Sequence, residues 1–151
     1  MNIFFLDTDT KQCAKYHCDK HVVKMILEYC QLLSTAHRVL DEEDLDPWMD
    51  ERLYKKTHVN HPSSVWVRQN ARNYQYVFDL LFSLSQEYKA RYGKSHASWQ
   101  KLRFALCMYP KNIPLDNIKA PLDINEAPNC LPDEYRDEST IQSYTNYNNG
   151  H

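Results

Sequence analysis

The run KQCAKYHCDKHVVKMILEYCQLLSTAHRVL, from Lys11 to Leu40, decides the fold. It contains no glycine or proline, and Leu, Met, Val, Ile and Ala recur through it. Nothing in it removes a backbone donor or frees the backbone, so it predicts one long helix, with a break near its start. At about 100° per residue, His17, His21, Lys24, Glu28, Gln31 and Thr35 share one narrow arc. Cys18, Val22, Met25, Tyr29, Leu32 and Leu33 flank the arc on one side. Val23, Leu27 and Cys30 flank it on the other, and Ile26 lies opposite. A helix that is apolar over most of its girth belongs at the centre of a fold.

Upstream, NIFFL at residues 2–6 reads as a short buried strand or an extended segment, and Asp7-Thr8-Asp9-Thr10 supplies capping side chains. Downstream, DEEDLDPWMDE at residues 41–51 is an acidic connector. THVNHPSS at residues 57–64 is turn-like, with Pro62 suited to the first turn of a second helix and Asn60 or His61 near its cap. That helix is expected from about Ser63 to Arg91, with Val67, Tyr74, Val77, Leu81, Leu84 and Tyr88 inward and Gly93 as its stop. Ser95 is expected to cap a third helix reaching about Met108, with Trp99, Leu102 and Leu106 inward. Five of the 7 prolines fall between residues 110 and 132, which makes the remainder an irregular arm with a short helical turn at Asp133–Arg136. The expected fold is all-α: three main helices around one core, with an irregular Pro-rich C-terminal arm. It forms a single domain over 1–151, a helical core at 1–110 and the arm at 111–151.

Composition narrows the class. Hydrophobic residues make up 42% and charged residues 25%, ordinary for a globular chain, and 2 glycines are too few for a turn-rich β-sandwich. No apolar run approaches the ~18 residues of a membrane span, and the start lacks the basic flank of a secretory signal. The 5 cysteines are odd in number and form no CxxC pair, which predicts reduced thiols, a cytoplasmic protein and no disulfide framework. The net charge of −2 hides an asymmetry: Arg52 to Lys111 holds 11 Lys/Arg against Asp79 and Glu87, so this segment carries about +9 and the rest about −11. A basic segment suits phosphates, unless the acidic parts fold over it.

The arc on the first helix carries several chemistries. A buried row of His, Lys and Glu is costly unless the groups pair or line a wet cleft. His17 and His21, at i,i+4, can ligate one metal ion. His21, Lys24 and Glu28 can instead do acid–base work near neutral pH, and a lysine beside another cation can become an amine nucleophile. As a plain surface feature, Lys24 and Glu28 would be an ordinary i,i+4 ion pair. A second group forms at two helix starts: His58, Asn60, His61 and Arg68 at one, Lys94 and His96 at the other. Helix N-termini with Arg and His suit a phosphate, whereas neutral histidines at caps can also be purely structural.

Several stretches carry a family resemblance. Asn60-His61-Pro62 opens the second helix, Glu87-Tyr-x-x-Arg91-Tyr-Gly93 ends it, and Tyr144-x-x-Tyr147-x-x-Gly150 forms an aromatic tail. In this order they resemble the phage pyrimidine-dimer DNA glycosylases and their cellular relatives. Cys18-Asp-Lys-His-Val-Val-Lys-Met25, with Thr57-His58-x-Asn60-His61-Pro62 and Trp66-x-Arg68, is also similar to an uncharacterised family of small phage proteins. The resemblance implies a helical protein that would cut a glycosidic bond in DNA within the host cytoplasm. It also implies a nucleophile, the α-amine of a threonine exposed by removal of the first methionine, assisted by a glutamate on the first helix. Here residue 2 is Asn, whose bulk predicts that Met1 stays, and Lys24 stands near that glutamate's position with Glu28 one turn on. An amine would then have to come from Lys24 or Lys20, or Glu28 would activate water.

The reading that results is an enzyme acting on DNA or a nucleotide, glycosylase-like, with His21, Lys24 and Glu28 catalytic. His58, Asn60, His61, Arg68, Lys94 and His96 would bind substrate or phosphate. No cofactor is expected, although a divalent metal stays open. Two alternatives remain: a metal-dependent hydrolase built on His17, His21, His58 and His61, and a non-enzymatic phage protein that captures a nucleotide or a host factor. No membrane partner is expected.

Overall fold

The structure is a computed structural model that describes residues 9–17 and 19–115. The expected strand at 2–6, the side chain of Lys20, and the arm beyond residue 115 with its helical turn and aromatic tail lie outside the described residues. Among those described there is no strand, and the fold is all-α. Six helices run in order: α1 (Thr10–Tyr16), α2 (Asp19–Leu40), α3 (Pro47–Arg52), α4 (Pro62–Gln69), α5 (Ala71–Tyr92) and α6 (Ala97–Leu106).

Three expected helices become six: the expected break near the start of the first falls at His17, an unexpected one at Asn70 divides the second, and a short helix forms inside the connector. His17 leaves the helical region, with ψ at 132°, and separates α1 from α2. Asp9 starts α1, its Oδ1 accepting the N–H groups of Lys11 (2.9 Å) and Gln12 (3.3 Å). Asn70 is extended (φ −159°, ψ 166°) and divides the second expected helix into α4 and α5. Its Oδ1 accepts the Asn73 N–H at 2.9 Å, and Asn73 Nδ2 donates to the Trp66 carbonyl at 2.9 Å. The backbone groups exposed by the break are thus paired again, the condition for burying it. Inside the acidic connector, Pro47 opens the short α3, where a missing N–H costs no helical hydrogen bond. Gly93 ends α5 in the left-handed region (φ 73°), its N–H closing on the Lys89 carbonyl at 2.8 Å.

Helix α2 is the axis, 22 residues and so about 33 Å long, and it packs against α4, α5 and α6. Val22, Met25, Ile26, Tyr29, Cys30, Leu32, Leu33 and Ala36 are buried along it. From α5 come Tyr74, Val77, Leu81 and Leu84, and from α6 Trp99, Leu102 and Leu106, as the spacing predicts; Leu80 is buried as well, and Tyr88 is half-buried against the core. The solvent strip of α2 differs from the expectation. It is centred on Val23, Lys24 and Leu27, with Val23 43% and Leu27 40% exposed. The titratable arc therefore straddles the edge of the buried face. Cys13 and Cys30 are buried and unbridged. No helix among the described residues is long and apolar enough to cross a membrane.

The C-terminal half of α2 is buried with its polar groups, and each takes hold of a distant piece of chain. Ser34 Oγ accepts the Tyr54 N–H (3.3 Å), and Arg38 donates to the Tyr54 and Leu53 carbonyls and to the Asp50 carboxylate (2.7, 2.8 and 2.7 Å). His37 donates from Nε2 to the Tyr74 hydroxyl (2.8 Å), which donates to the Leu106 carbonyl (2.6 Å). Just past the helix, the buried Asp41 carboxylate accepts the backbone N–H groups of Lys111 (2.7 Å) and Asn112 (2.9 Å) and the Asn112 amide (3.1 Å). Lys111 in turn reaches the Asp44 carbonyl and the Asp46 carboxylate (2.7 and 3.0 Å).

Asp41→Ala would leave two partly buried backbone donors without an acceptor. The expected loss is about 3 kcal/mol of stability, measured by urea or thermal denaturation, and Asp41→Asn should lose less because one acceptor oxygen survives.

Candidate active site

The arc on α2 divides into residues with different fates. At its head, His17 is a buried structural group. Its Nδ1–H donates to the Cys13 carbonyl (2.8 Å) and its Nε2 accepts from the Tyr29 hydroxyl (3.3 Å), so both ring nitrogens are engaged. Burial drives its pKa down to about 4 in spite of the bond to Cys13, with His21 and Arg91 adding to the depression. His21 is also buried, one turn on. Lys24 is 70% exposed and its Nζ stands 3.9 Å from Glu28 Oε1, too far for a charge-assisted hydrogen bond. Glu28 and Gln31 are half-buried. Thr35 ends the arc in the interior, its hydroxyl accepting the Thr57 N–H (3.2 Å) and donating to the Thr57 carbonyl (3.4 Å).

That pair of bonds sets the His58–His61 turn against α2, on the face that Glu28 and Gln31 occupy. The turn closes through the His61 N–H on the His58 carbonyl at 3.0 Å. Arg68, from the next helix, donates to the Val59 carbonyl at 2.7 Å and braces the turn from behind. His58 has φ 47°, a left-handed conformation unusual for a residue with a side chain. His58 and Asn60 are exposed, and His61 is half-buried.

His61 is the N-cap of α4: its Nδ1 accepts the Ser63 N–H at 3.1 Å. His96 does the same for α6, with Nδ1 on the Ser98 N–H at 3.1 Å, and takes the capping place expected of Ser95. In both rings the lone pair is on Nδ1, so the proton is on Nε2. Burial lowers both pKa values; His58 reinforces this for His61, and a bond to the Val23 backbone opposes it for His96. His96 also meets the Tyr88 ring edge-on at 5.1 Å between centroids. It joins α6 to α2 and α5, and its own imidazole fills the place a phosphate would take at that helix start. Lys94 is exposed beside it.

The four-histidine metal set does not assemble. Among the described residues no three of His, Cys, Asp and Glu gather where they could hold a metal ion, and His17 has no lone pair to spare. Cavities among the described residues include two that lie away from the turn, one between α2, α3 and the segment after α6 and one on α5. The first, about 110 Å³, is lined by His37, Asp41, Leu45, Met49, Met108 and Tyr109.

Two polar residues of the site's frame were not read as such in the sequence. Arg91, seen only as part of a helix-ending pattern, donates to the His17 carbonyl (3.1 Å), to Asp19 (2.9 Å) and to Glu87 (3.0 Å). It fixes the corner at which the arc begins, and the i,i+4 spacing of Glu87 and Arg91 was its only local signal. His37 carried no local signal, because its partner Tyr74 is on another helix.

A helical protein with a histidine turn held against a polar face of its central helix is the class that fold and site define. A family model for pyrimidine dimer DNA glycosylases matches residues 1–101, which include α1 to α5 and the first half of α6. The chain belongs to the pyrimidine dimer DNA glycosylase family. Neither the curated proteins nor the solved structures return a match.

The buried histidines fix a pH dependence. His17 and His37 both have pKa values of about 4 in the fold, His37 through burial that outweighs the Asp41 carboxylate, against 6.5 when unfolded. The unfolded chain binds more protons between those values, so stability is complete above pH 6.5 and is lost as the pH falls toward 4, by at most about 3 kcal/mol for each ring. Urea midpoints measured from pH 7.5 to 4.5 should follow this course, and His37→Gln should show a visibly shallower slope.

Proposed function

We propose that the protein is a DNA glycosylase that hydrolyses the N-glycosidic bond of a damaged or modified nucleotide on the face between α2 and the His58–His61 turn. The observation that carries this reading is the half-buried Glu28, on a helix within the family match, with the histidine turn pinned to the same face by Thr35. Glu28 takes a proton from water as the oxygen bonds to C1′ of the sugar. The C1′–N bond breaks with its electron pair going to the base, which takes up a proton from solvent, and Glu28 releases to solvent the proton it accepted. His61, neutral with its proton on Nε2, donates a hydrogen bond to the departing base or to a neighbouring phosphate. His21, buried on the same arc, is the second acid–base group.

Lys24 acts as a cation in this reading. A lysine amine attacks only when deprotonated, which needs desolvation or a neighbouring cation. Lys24 is solvent-exposed and its charged neighbour is the acid Glu28. It suits a DNA phosphate, as does Lys94, while Arg68 holds the turn in place and Asn60 stands exposed on it.

Duplexes carrying ultraviolet, alkylation or deamination damage supply the test. Glu28→Gln should reduce the single-turnover rate of base release by about 100-fold or more without changing the melting temperature. Lys24→Ala should weaken binding and reduce the slope of log affinity against log salt by about one, leaving the bound rate intact. Borohydride should trap no covalent adduct. Folded protein that releases no base from any of these substrates would end this reading.

A further inference from the structure

His58 is held in a conformation that costs free energy. Its φ of 47° places Cβ against the following carbonyl, a penalty that glycine would not incur. The turn also allows nothing to relax. Thr35 grips Thr57 on one side, Arg68 grips the Val59 carbonyl behind, and the His61 N–H closes the loop back onto His58. The imidazole at the apex is exposed, and among the described residues it makes no hydrogen bond, ion pair or ring contact. The strained position thus serves no cap and no core. In this it differs from His17, His37, His61 and His96, each tied to the fold through a ring nitrogen.

We infer that His58 is the residue that enters the base stack of the bound DNA and occupies the space opened at the damaged nucleotide. The inference rests on the glycosylase reading above and adds the group that detects the lesion. A rigid turn with a flat, exposed ring at its apex fits a gap between bases. A long, flexible cation would fit the backbone instead. Stacking on a ring is tolerant of base identity, so the contact favours an opened or weakened stack over one particular sequence. His58 is thereby a positioning and specificity residue, distinct from Glu28, which does the chemistry.

Fluorescence anisotropy with two duplexes tests this, one intact and one containing a tetrahydrofuran abasic analogue beside 2-aminopurine. His58→Gly removes the ring and relieves the backbone, so its melting temperature should equal or exceed that of the natural protein. Its affinity for the abasic duplex should fall about tenfold, its affinity for the intact duplex should stay within twofold, and the change in 2-aminopurine emission on binding should shrink. His58→Phe should keep the preference for the abasic duplex, and His58→Lys should not. Equal loss on both duplexes, or retention by His58→Lys and not by His58→Phe, would make the contact a phosphate contact and overturn the inference. Unchanged preference in His58→Gly would overturn it while leaving the glycosylase reading in place. A natural protein with no preference for the abasic duplex would also overturn the inference, while the glycosylase reading stands or falls on base release.

Discussion

The structure depends on the burial of one helix that is not wholly apolar. Helix α2 lies against three others, and its second half takes Ser34, Thr35 and His37 into the interior, with Asp41 just beyond its end. A buried polar group without a partner costs a few kcal/mol, a sizeable share of the net stability of a small domain. Each of these groups therefore holds a segment from elsewhere: Tyr54, Thr57, Tyr74 and the Lys111–Asn112 turn. Apolar packing alone would have left those segments free to slide. The hydrogen bonds give them a register, and the position of the histidine turn follows from one of them.

Much of the scaffold was legible in the sequence. The absence of Gly and Pro over Lys11–Leu40 marked α2, and the apolar spacing identified the inward residues of α5 and α6. A break near the start of the first helix was expected, but its exact place at His17 was not legible, and neither was the break at Asn70. Neither involves a proline or glycine. Both are stabilised by bonds that exist only in the fold, Arg91 to the His17 carbonyl and Asn73 to the Trp66 carbonyl. The candidate site was legible as an arc but not as a division of labour. A helical wheel places His17, His21, Lys24 and Glu28 together; it does not say which neighbours they meet. His17 meets Tyr29 and becomes framework, Lys24 meets solvent, and Glu28 lies at the boundary. For His61 and His96, proximity to a helix start was apparent, while the use of Nδ1 as the cap depended on a rotamer the sequence does not specify.

The charge asymmetry is resolved in part. Acids from the first third of the chain pair with bases from the basic segment: Asp19 with Arg91, and Asp46 with Lys111. These pairs are exposed on the acid side and contribute little to stability, but they remove cations from the available field. Among the described residues Lys55, Lys56, Lys89, Lys94 and Lys101 have no such pairing, and Lys101 lies over the Tyr54 ring at 4.9 Å. Positive potential is thus concentrated on fewer groups than the sequence count suggests, which suits local contact with a polyanion better than a diffuse attraction.

The junction between Asp41 and Lys111–Asn112 has a consequence for the order of folding. The residues it joins are 70 and 71 apart, so it closes a loop containing α3, α4, α5 and α6. Closing so long a loop before its contents are ordered gains little against the chain entropy it removes. The order expected from this cost is that the helices inside form and collapse before the acidic connector latches. Once latched, it ties the far ends of the bundle together without a covalent link.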